Sequence, residues 1–285
     1  MIASILRAYV RSNLRGSTRV TTFLAHRLKA LQCCPVVVGD LPPTYLDLRE
    51  PTAQQWLRDG VFEAWECGER RVMRDLVRTG AVIFDIGANL GLHTAYLSRL
   101  AGPQGKVYTF EANPRLHLTL RATCRGLGNS ELVPFALAEE AGVLDLFVPL
   151  DHTMASLKDW TALATERVIC EARRLDDLTL PAPDFVKVDI EGAELSAFEG
   201  ARAMLDKEEA PAILYEASRK NAEAFGHGVE AATEYLASLA RPNFSFYVVG
   251  REGEVSSLEG FDFDHANILA LPASRRCEAA GLRVG

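Results

Sequence analysis

Apolar positions along the chain follow two rhythms that take turns. Short apolar runs at 81–86 (AVIFDI), 106–110 (KVYTF), 132–137 (LVPFAL), 184–190 (DFVKVDI) and 211–215 (PAILY) read as strands. Between them, 69–79, 92–100, 113–125, 194–205 and 229–239 carry apolar residues at helical spacing. Segment 44–48 (TYLDL) alternates like a strand, and 142–148 (GVLDLFV) alternates and is predicted to pair antiparallel nearby. Segments 244–249 and 266–271 form a terminal hairpin. Strands alternating with helices and ending in a hairpin predict an α/β fold with a mostly parallel sheet and one reversed edge strand. Pro134 puts the third of these strands at or near an edge.

The amino-terminal pattern differs. Ile2, Ile5, Leu6, Tyr9 and Val10 lie on one helical face, Arg7, Arg11 and Arg15 form a stripe beside it, and Gly16 stops the helix. A second short helix is expected around 22–31, and Pro42-Pro43 mark a boundary. The chain thus divides into a basic amphipathic helical segment, 1–43, and a main domain, 44–285. Residues 1–39 contain six basic and no acidic side chains, so the rest is more acidic than the net charge of −7 suggests. Such a body is a poor partner for nucleic acid. The basic helix suits peripheral contact with anionic lipid or, as the plainer reading, a lid or the arm of a homo-oligomer docked on the domain itself. Six cysteines without CxxC or zinc spacing fit a reducing compartment, and no apolar run has the length of a membrane span. The expected location is cytoplasmic, with a peripheral membrane association through the basic helix as the variant.

Chemistry concentrates first at 81–94 (AVIFDIGANLGLHT), a strand, a glycine turn and a helix start. Glycines let a ligand approach the backbone, and the helix offers unpaired N–H groups. A dinucleotide fingerprint needs glycine at the first, third and sixth turn positions, where this turn has Gly87, Asn89 and Leu92. Asp85 at the strand end would repel a pyrophosphate but attract an ammonium and a sulfonium, the two cations of S-adenosylmethionine. Glu111, ending the next strand, stands where an acid accepts hydrogen bonds from ribose hydroxyls. The plainer reading is that Asp85 and Glu111 only cap a turn and a strand.

A second concentration lies at 184–191, where alternation puts Lys187, Asp189 and Glu191 on one side. Charges inside an apolar strand need partners, so Lys187 and Asp189 either brace the site as an ion pair or serve the reaction, with Asp189 orienting or deprotonating an acceptor and Lys187 tuning it. Glu216, ending the following strand, would complete with Asp189 an oxygen pair suited to Mg²⁺. Ser156 and Lys158 lie in a polar stretch, 151–165, that is either substrate-facing or plain surface. The histidines are scattered; His152 and His227 are the loop candidates for a base, and His93 is read as packing.

The segments FDIGANLGLHT, YTFEANP, VPFALAEEAGVLDLF, RRLDDL, FVKVDIEGAE and ILYEAS, in that order from Tyr45 to Glu216, resemble FkbM-family methyltransferases. The resemblance implies a Rossmann-like class I fold with a seven-stranded sheet. It also implies an S-adenosylmethionine-dependent O-methyltransferase acting on a hydroxyl of a sugar, glycolipid or polyketide-like acceptor. By that likeness Asp85, Gly87, Asn89 and Gly91 line the methionine side, Glu111 holds the ribose and Asp189 closes the site near the methyl. Glu63, in a G-x-x-E stretch, would reach the methionine moiety. Transfer to nitrogen or to a protein side chain is the alternative on this scaffold, and a non-catalytic cofactor-binding subunit is the alternative of another class.

Overall fold

A computed structural model of the chain describes residues 9, 16–59, 67–149, 154–159, 164–276 and 282–284. In chain order the elements used below are α1 (Ser17–Arg27), β1 (Cys34–Val36), β2 (Thr44–Leu46), α2 (Pro51–Asp59), α3 (Cys67–Leu76), β3 (Val82–Ile86), α4 (Leu92–Ala101), β4 (Lys106–Phe110), α5 (His117–Leu127), β5 (Ser130–Val133), β6 (Ala136–Leu137), β7 (Gly142–Pro149) and β8 (Thr165–Arg173). They continue with β9 (Phe185–Val188), α6 (Glu194–Glu199), α7 (Arg202–Leu205), β10 (Ala212–Ser218), α8 (Arg219–Phe225), α9 (Ala231–Ser238), β11 (Ser245–Val249), β12 (Glu254–Ser257), β13 (His265–Leu271) and β14 (Arg283–Val284).

The main sheet runs β14-β12-β11-β13-β10-β9-β3-β4-β5. Its half from β10 to β5 is parallel, and β13 is antiparallel to both β10 and β11. The α/β fold with a mostly parallel sheet stands, and two details differ from expectation. The sheet has nine strands rather than seven, since β12 and β14 extend it beyond β11. The reversed strand β13 is interior, because β11 pairs on its far side. β5, as Pro134 suggested, is an edge; the proline ends that strand, and Ala136–Leu137 cross to a separate sheet, β6-β8-β7.

Period-two alternation divides each central strand between two cores. In β10, Ala212 and Leu214 point to one, shared with Leu57, Met73 and Leu97, whereas Ile213 and Tyr215 point to the other, shared with Phe198, Leu205 and Leu236. Helices therefore cover both faces, and the carboxyl ends of β3, β4, β9 and β10 are left facing one crevice, where open α/β sheets bind ligands.

The boundary expected at 43/44 is not a structural one. Strand β1 pairs antiparallel with β2, so Pro42-Pro43 sit in a hairpin connection rather than a linker. Ala25, Leu31, Cys34 and Val36 join the same core as Ile83 and Leu97. The second helix is found at Ser17–Arg27 rather than 22–31, and the first expected helix, apart from Tyr9, lies outside the described residues. No helix among the described residues is long and apolar enough to cross a membrane.

Candidate active site

The turn after β3 is held by its neighbours. Gly87 and Gly91 adopt φ of 85° and 80°, and Asn89 between them takes φ 49°. The N–H groups of Gly87 and Ala88 donate to the Phe110 carbonyl at 3.1 and 2.9 Å. That of Asn89 donates to Glu111 Oε2 at 2.7 Å, and Glu111 Oε1 accepts from the Asn113 N–H at 2.7 Å. Glu111 thus locks the ends of β3 and β4 together while keeping lone pairs toward the crevice.

A cavity of about 270 Å³ opens over this turn. Phe135, Leu146 and Leu157 supply apolar lining, Trp56 reaches it from α2, and its charged lining is Glu111, Lys187, Asp189, Glu191 and Glu216. Four carboxyl groups and one ammonium thus share the lining. Burial pushes Glu111 up to about 7, against the backbone N–H groups that pull it down. Burial, with repulsion from Glu216 and Asp189, pushes Glu191 up to about 9. Glu216 is raised as well, mainly by burial, although its bond to His265 opposes this. Asp189 goes the other way. Burial disfavours its charge, but the Lys187 ammonium, donating from Nζ to Oδ2 at 3.0 Å, outweighs burial and holds the carboxyl below its usual range.

Asp189, Glu191 and Glu216 each bring one carboxylate oxygen within 4.8 Å of the others. Each carboxylate already has an internal partner: Lys187 for Asp189, Asn221 at 2.7 Å for Glu191, and His265 at 2.6 Å for Glu216. Lys187 already places an ammonium among them, and it would repel a divalent ion. The donor set does not fit Mg²⁺ well.

A family model described as the methyltransferase FkbM domain matches residues 85–256, more than half of the chain. The chain belongs to the FkbM methyltransferase family. It is similar, at 36% identity over 76 residues, to a protein-L-isoaspartate O-methyltransferase of Methanocella arvoryzae, the match taking in 27% of this chain and 40% of that protein. Among solved structures it is similar to a methyltransferase FkbM from Methylobacillus flagellatus, at TM-score 0.44 and 18% identity over 90% of this chain and 60% of the other. An O-methyltransferase from Bacillus cereus matches at TM-score 0.44 and 15% identity over 72% and 80% of the two chains. The chain therefore spans less than half of the first relative and about three fifths of the second.

Within this FkbM domain the expected residues fall into groups. Gly87, Asn89, Glu111, Lys187, Asp189 and Glu216 line the cavity. Gly91 lies one layer below, as the amino-terminal cap of α4, with α5 Leu120 packed against its Cα. Asp85, expected to line the methionine side, is not a cavity residue. It pairs in register with Lys187, but its side chain lies under α4, fully buried, with Oδ2 accepting from Thr94 Oγ1 at 2.6 Å. Its other oxygen is buried without a hydrogen-bond partner among the described residues. Asp85 thus lies beneath the turn and outside the cavity lining. Glu63 and His152 lie outside the described residues.

Glu191 reaches the cavity by a route that alternation did not foresee. β9 ends at Val188, and a left-handed backbone at Glu191 (φ 54°) turns the carboxylate back toward Asp189. Glu194 secures that turn by accepting the N–H groups of Ile190 and Gly192 at 3.1 and 3.3 Å. Ser156, open to two readings in the sequence, lines the cavity and donates from Oγ to the Glu191 carbonyl at 2.7 Å. His93 lines the cavity too. His265 carried no sequence signal, being 49 residues from Glu216, whose Oε1 it meets at 2.6 Å.

Proposed function

We propose that this chain transfers the methyl group of S-adenosylmethionine to a hydroxyl of a sugar-like, glycolipid or polyketide-like acceptor. The observation that carries the reading is the charge of the cavity: a glycine turn and a strand-end Glu111 faced by Asp189, Glu191 and Glu216, where a pyrophosphate would be repelled. The bound cofactor supplies a methyl carbon already activated by a sulfonium. Glu111 and the turn backbone would hold the ribose side, and the Asp189–Glu191–Glu216 group would face the cationic end. The Methanocella relative, named an O-methyltransferase, supports oxygen as the accepting atom. Asp189, held ionised by Lys187, is a poor base, so its part is to fix charge and orientation.

Affinity as a function of pH tests this. Glu111 and Glu191, at about 7 and about 9, hold protons near neutrality in the ligand-free protein. A cation beside them is bound more tightly as they ionise, so affinity rises with pH. S-adenosylmethionine and S-adenosylhomocysteine share the amino-acid group and differ in the sulfonium, so ammonium titration cancels in their ratio. Calorimetry from about pH 6 to about pH 9 should find that ratio growing by about tenfold in favour of the sulfonium, the equivalent of one unit of coupling. A flat ratio would remove the carboxylates from the cationic end.

The partner surface proposed for the amino-terminal region is an anionic bilayer. Helix α1 buries Ser17, Thr21 and Ala25 and turns Val20 (44% exposed) and Phe23 (52%) outward, with Leu28 exposed just after it. Arg19, Arg27 and Lys29 are exposed beside them, and Arg27 stacks on Phe23 with its guanidinium 4.0 Å from the ring centre. Apolar residues facing out among basic ones favour lipid over an internal docking role, and a single helix of this length binds weakly and reversibly. Full-length protein should sediment with phosphatidylcholine vesicles containing phosphatidylserine, less so at high salt, and Phe23→Ser should abolish it. A dimer that Phe23→Ser dissociates, without vesicle binding, would replace lipid by a second copy of the chain.

A further inference from the structure

A second cavity, of about 260 Å³, adjoins the first and shares Lys187, Asp189 and Glu216 with it. Its own lining is Glu69 from α3, His265 and Asn267 from β13, and Val188 and Leu214 below. Asn267 donates from Nδ2 to Glu69 Oε1, and His265 Nε2 lies 2.6 Å from Glu216 Oε1. This polar dyad is built by register: β13 runs antiparallel to β10, with Asn267 opposite Glu216 and His265 opposite Ser218. We propose that the second cavity holds the acceptor, an uncharged polyhydroxylated ring or chain end, and that His265 takes the proton of its reacting hydroxyl.

Three observations support this, on top of the cofactor reading of the first cavity. The shared residues make one wall common to both cavities, so a hydroxyl in the second faces what the first contains. The polar lining is Glu69, Asp189 and Glu216 against Lys187 and His265, which offers many partners to hydroxyls and repels phosphates and carboxylates. At about 260 Å³ it is close to the first cavity in volume, room enough for a ring or the end of a longer acceptor. With Nε2–H given to Glu216, the lone pair on Nδ1 is the basic site of the ring. In the reaction the hydroxyl oxygen bonds to the methyl carbon. The carbon–sulfur bond breaks with its electron pair left on sulfur, and the hydroxyl proton moves to His265 Nδ1. Glu216 is a positioning residue: it fixes the tautomer and stabilises the imidazolium.

The groups facing His265 are Glu69, Asp189, Lys187 and Glu216, and the bond to Glu216 is the main one that holds its proton above the ordinary 6.5. Transfer should therefore increase as pH rises through a value above 6.5, and Glu216→Gln should move that rise to lower pH. The experiment gives wild-type and His265→Gln proteins methyl-labelled S-adenosylmethionine with a pool of neutral methyl glycosides and inositol, and separately with sugar phosphates. Label should enter the neutral pool, about a hundredfold more slowly with His265→Gln, while calorimetry finds that both proteins bind the cofactor. Equal rates for both proteins, preference for the phosphates, or no label in the neutral pool from a cofactor-binding wild type would overturn the inference and leave the cofactor site standing. A wild type that does not bind the cofactor would instead overturn the reading beneath it.

Discussion

Gly87→Ala should lose both cofactor binding and several kcal/mol of stability, whereas Gly80→Ala should lose only a small part of that stability. Both glycines have left-handed backbones, with φ of 85° and 88°. An L-residue there costs about 1–2 kcal/mol. Beyond that they differ. A Cβ at Gly80 would meet nothing within 4 Å, but at Gly87 it would lie 1.8 Å from the Asp189 carbonyl oxygen and 2.8 Å from its carbon. Those are backbone atoms of the adjoining segment, which is tied to β3 by the Asp189 N–H donating to Ile86 at 2.9 Å. Relief requires the strand ends to part, and that would displace Asp189 from Lys187 and open the cavity floor. Thermal melts and calorimetry with S-adenosylmethionine on the two variants check this. A Gly87→Ala protein that melts and binds like wild type would mean that the turn does not rest against Asp189.

The residues that crowd this contact were legible to different depths. The turn and Glu111 could be read because a buried parallel strand is a nearly unbroken apolar run, and glycines where it stops have few other uses. Lys187 and Asp189 stood out as charges in such a run, and they do pair with each other, which leaves both readings of their role open. Asp85 was found, but its destination was not. A carboxylate at a strand end can face the crevice or the covering helix, and Thr94 on α4 decides for the helix. Strand β8 escaped because its solvent side, Arg167, Ile169, Glu171 and Arg173, mixes an apolar residue with charged ones, and Glu166 begins the inward side, leaving Cys170 and Ala172 as a faint inward signal. Pro42-Pro43 looked like a linker since the pairing of β1 with β2 is a tertiary fact. The dyad of Glu216 and His265 depends on strand order, with β13 placed between β10 and β11, which no local pattern encodes.

Lys187→Met should destabilise the protein in a way that depends on pH, and this separates a charge effect from a packing defect. Lys187 has a side-chain exposure of 6% and Asp189 of 31%. Removing one member of a fully buried pair costs about 3–5 kcal/mol; the partial exposure of Asp189 argues for the lower end, about 3 kcal/mol near neutral pH. The sign follows from the wild-type shift. Asp189 is held below its ordinary 3.8, so its stabilisation is present above that value and lost as pH falls through the lower, folded one. Without Lys187 the same carboxyl faces burial and the neighbouring Glu191 and Glu216 with no ammonium, and its folded pKa rises above the unfolded one. Its ionisation then opposes folding as pH increases. The stability gap between wild type and Lys187→Met should therefore be small in acid and widen toward neutrality in urea titrations. Lys187→Met with Asp189→Asn should recover most of the loss, because the uncompensated charge is gone while the cavity shape is kept. An equal gap at acid and neutral pH, unrelieved by Asp189→Asn, would show that Lys187 acts through its methylenes alone, and the electrostatic account of the cavity wall would fail with it.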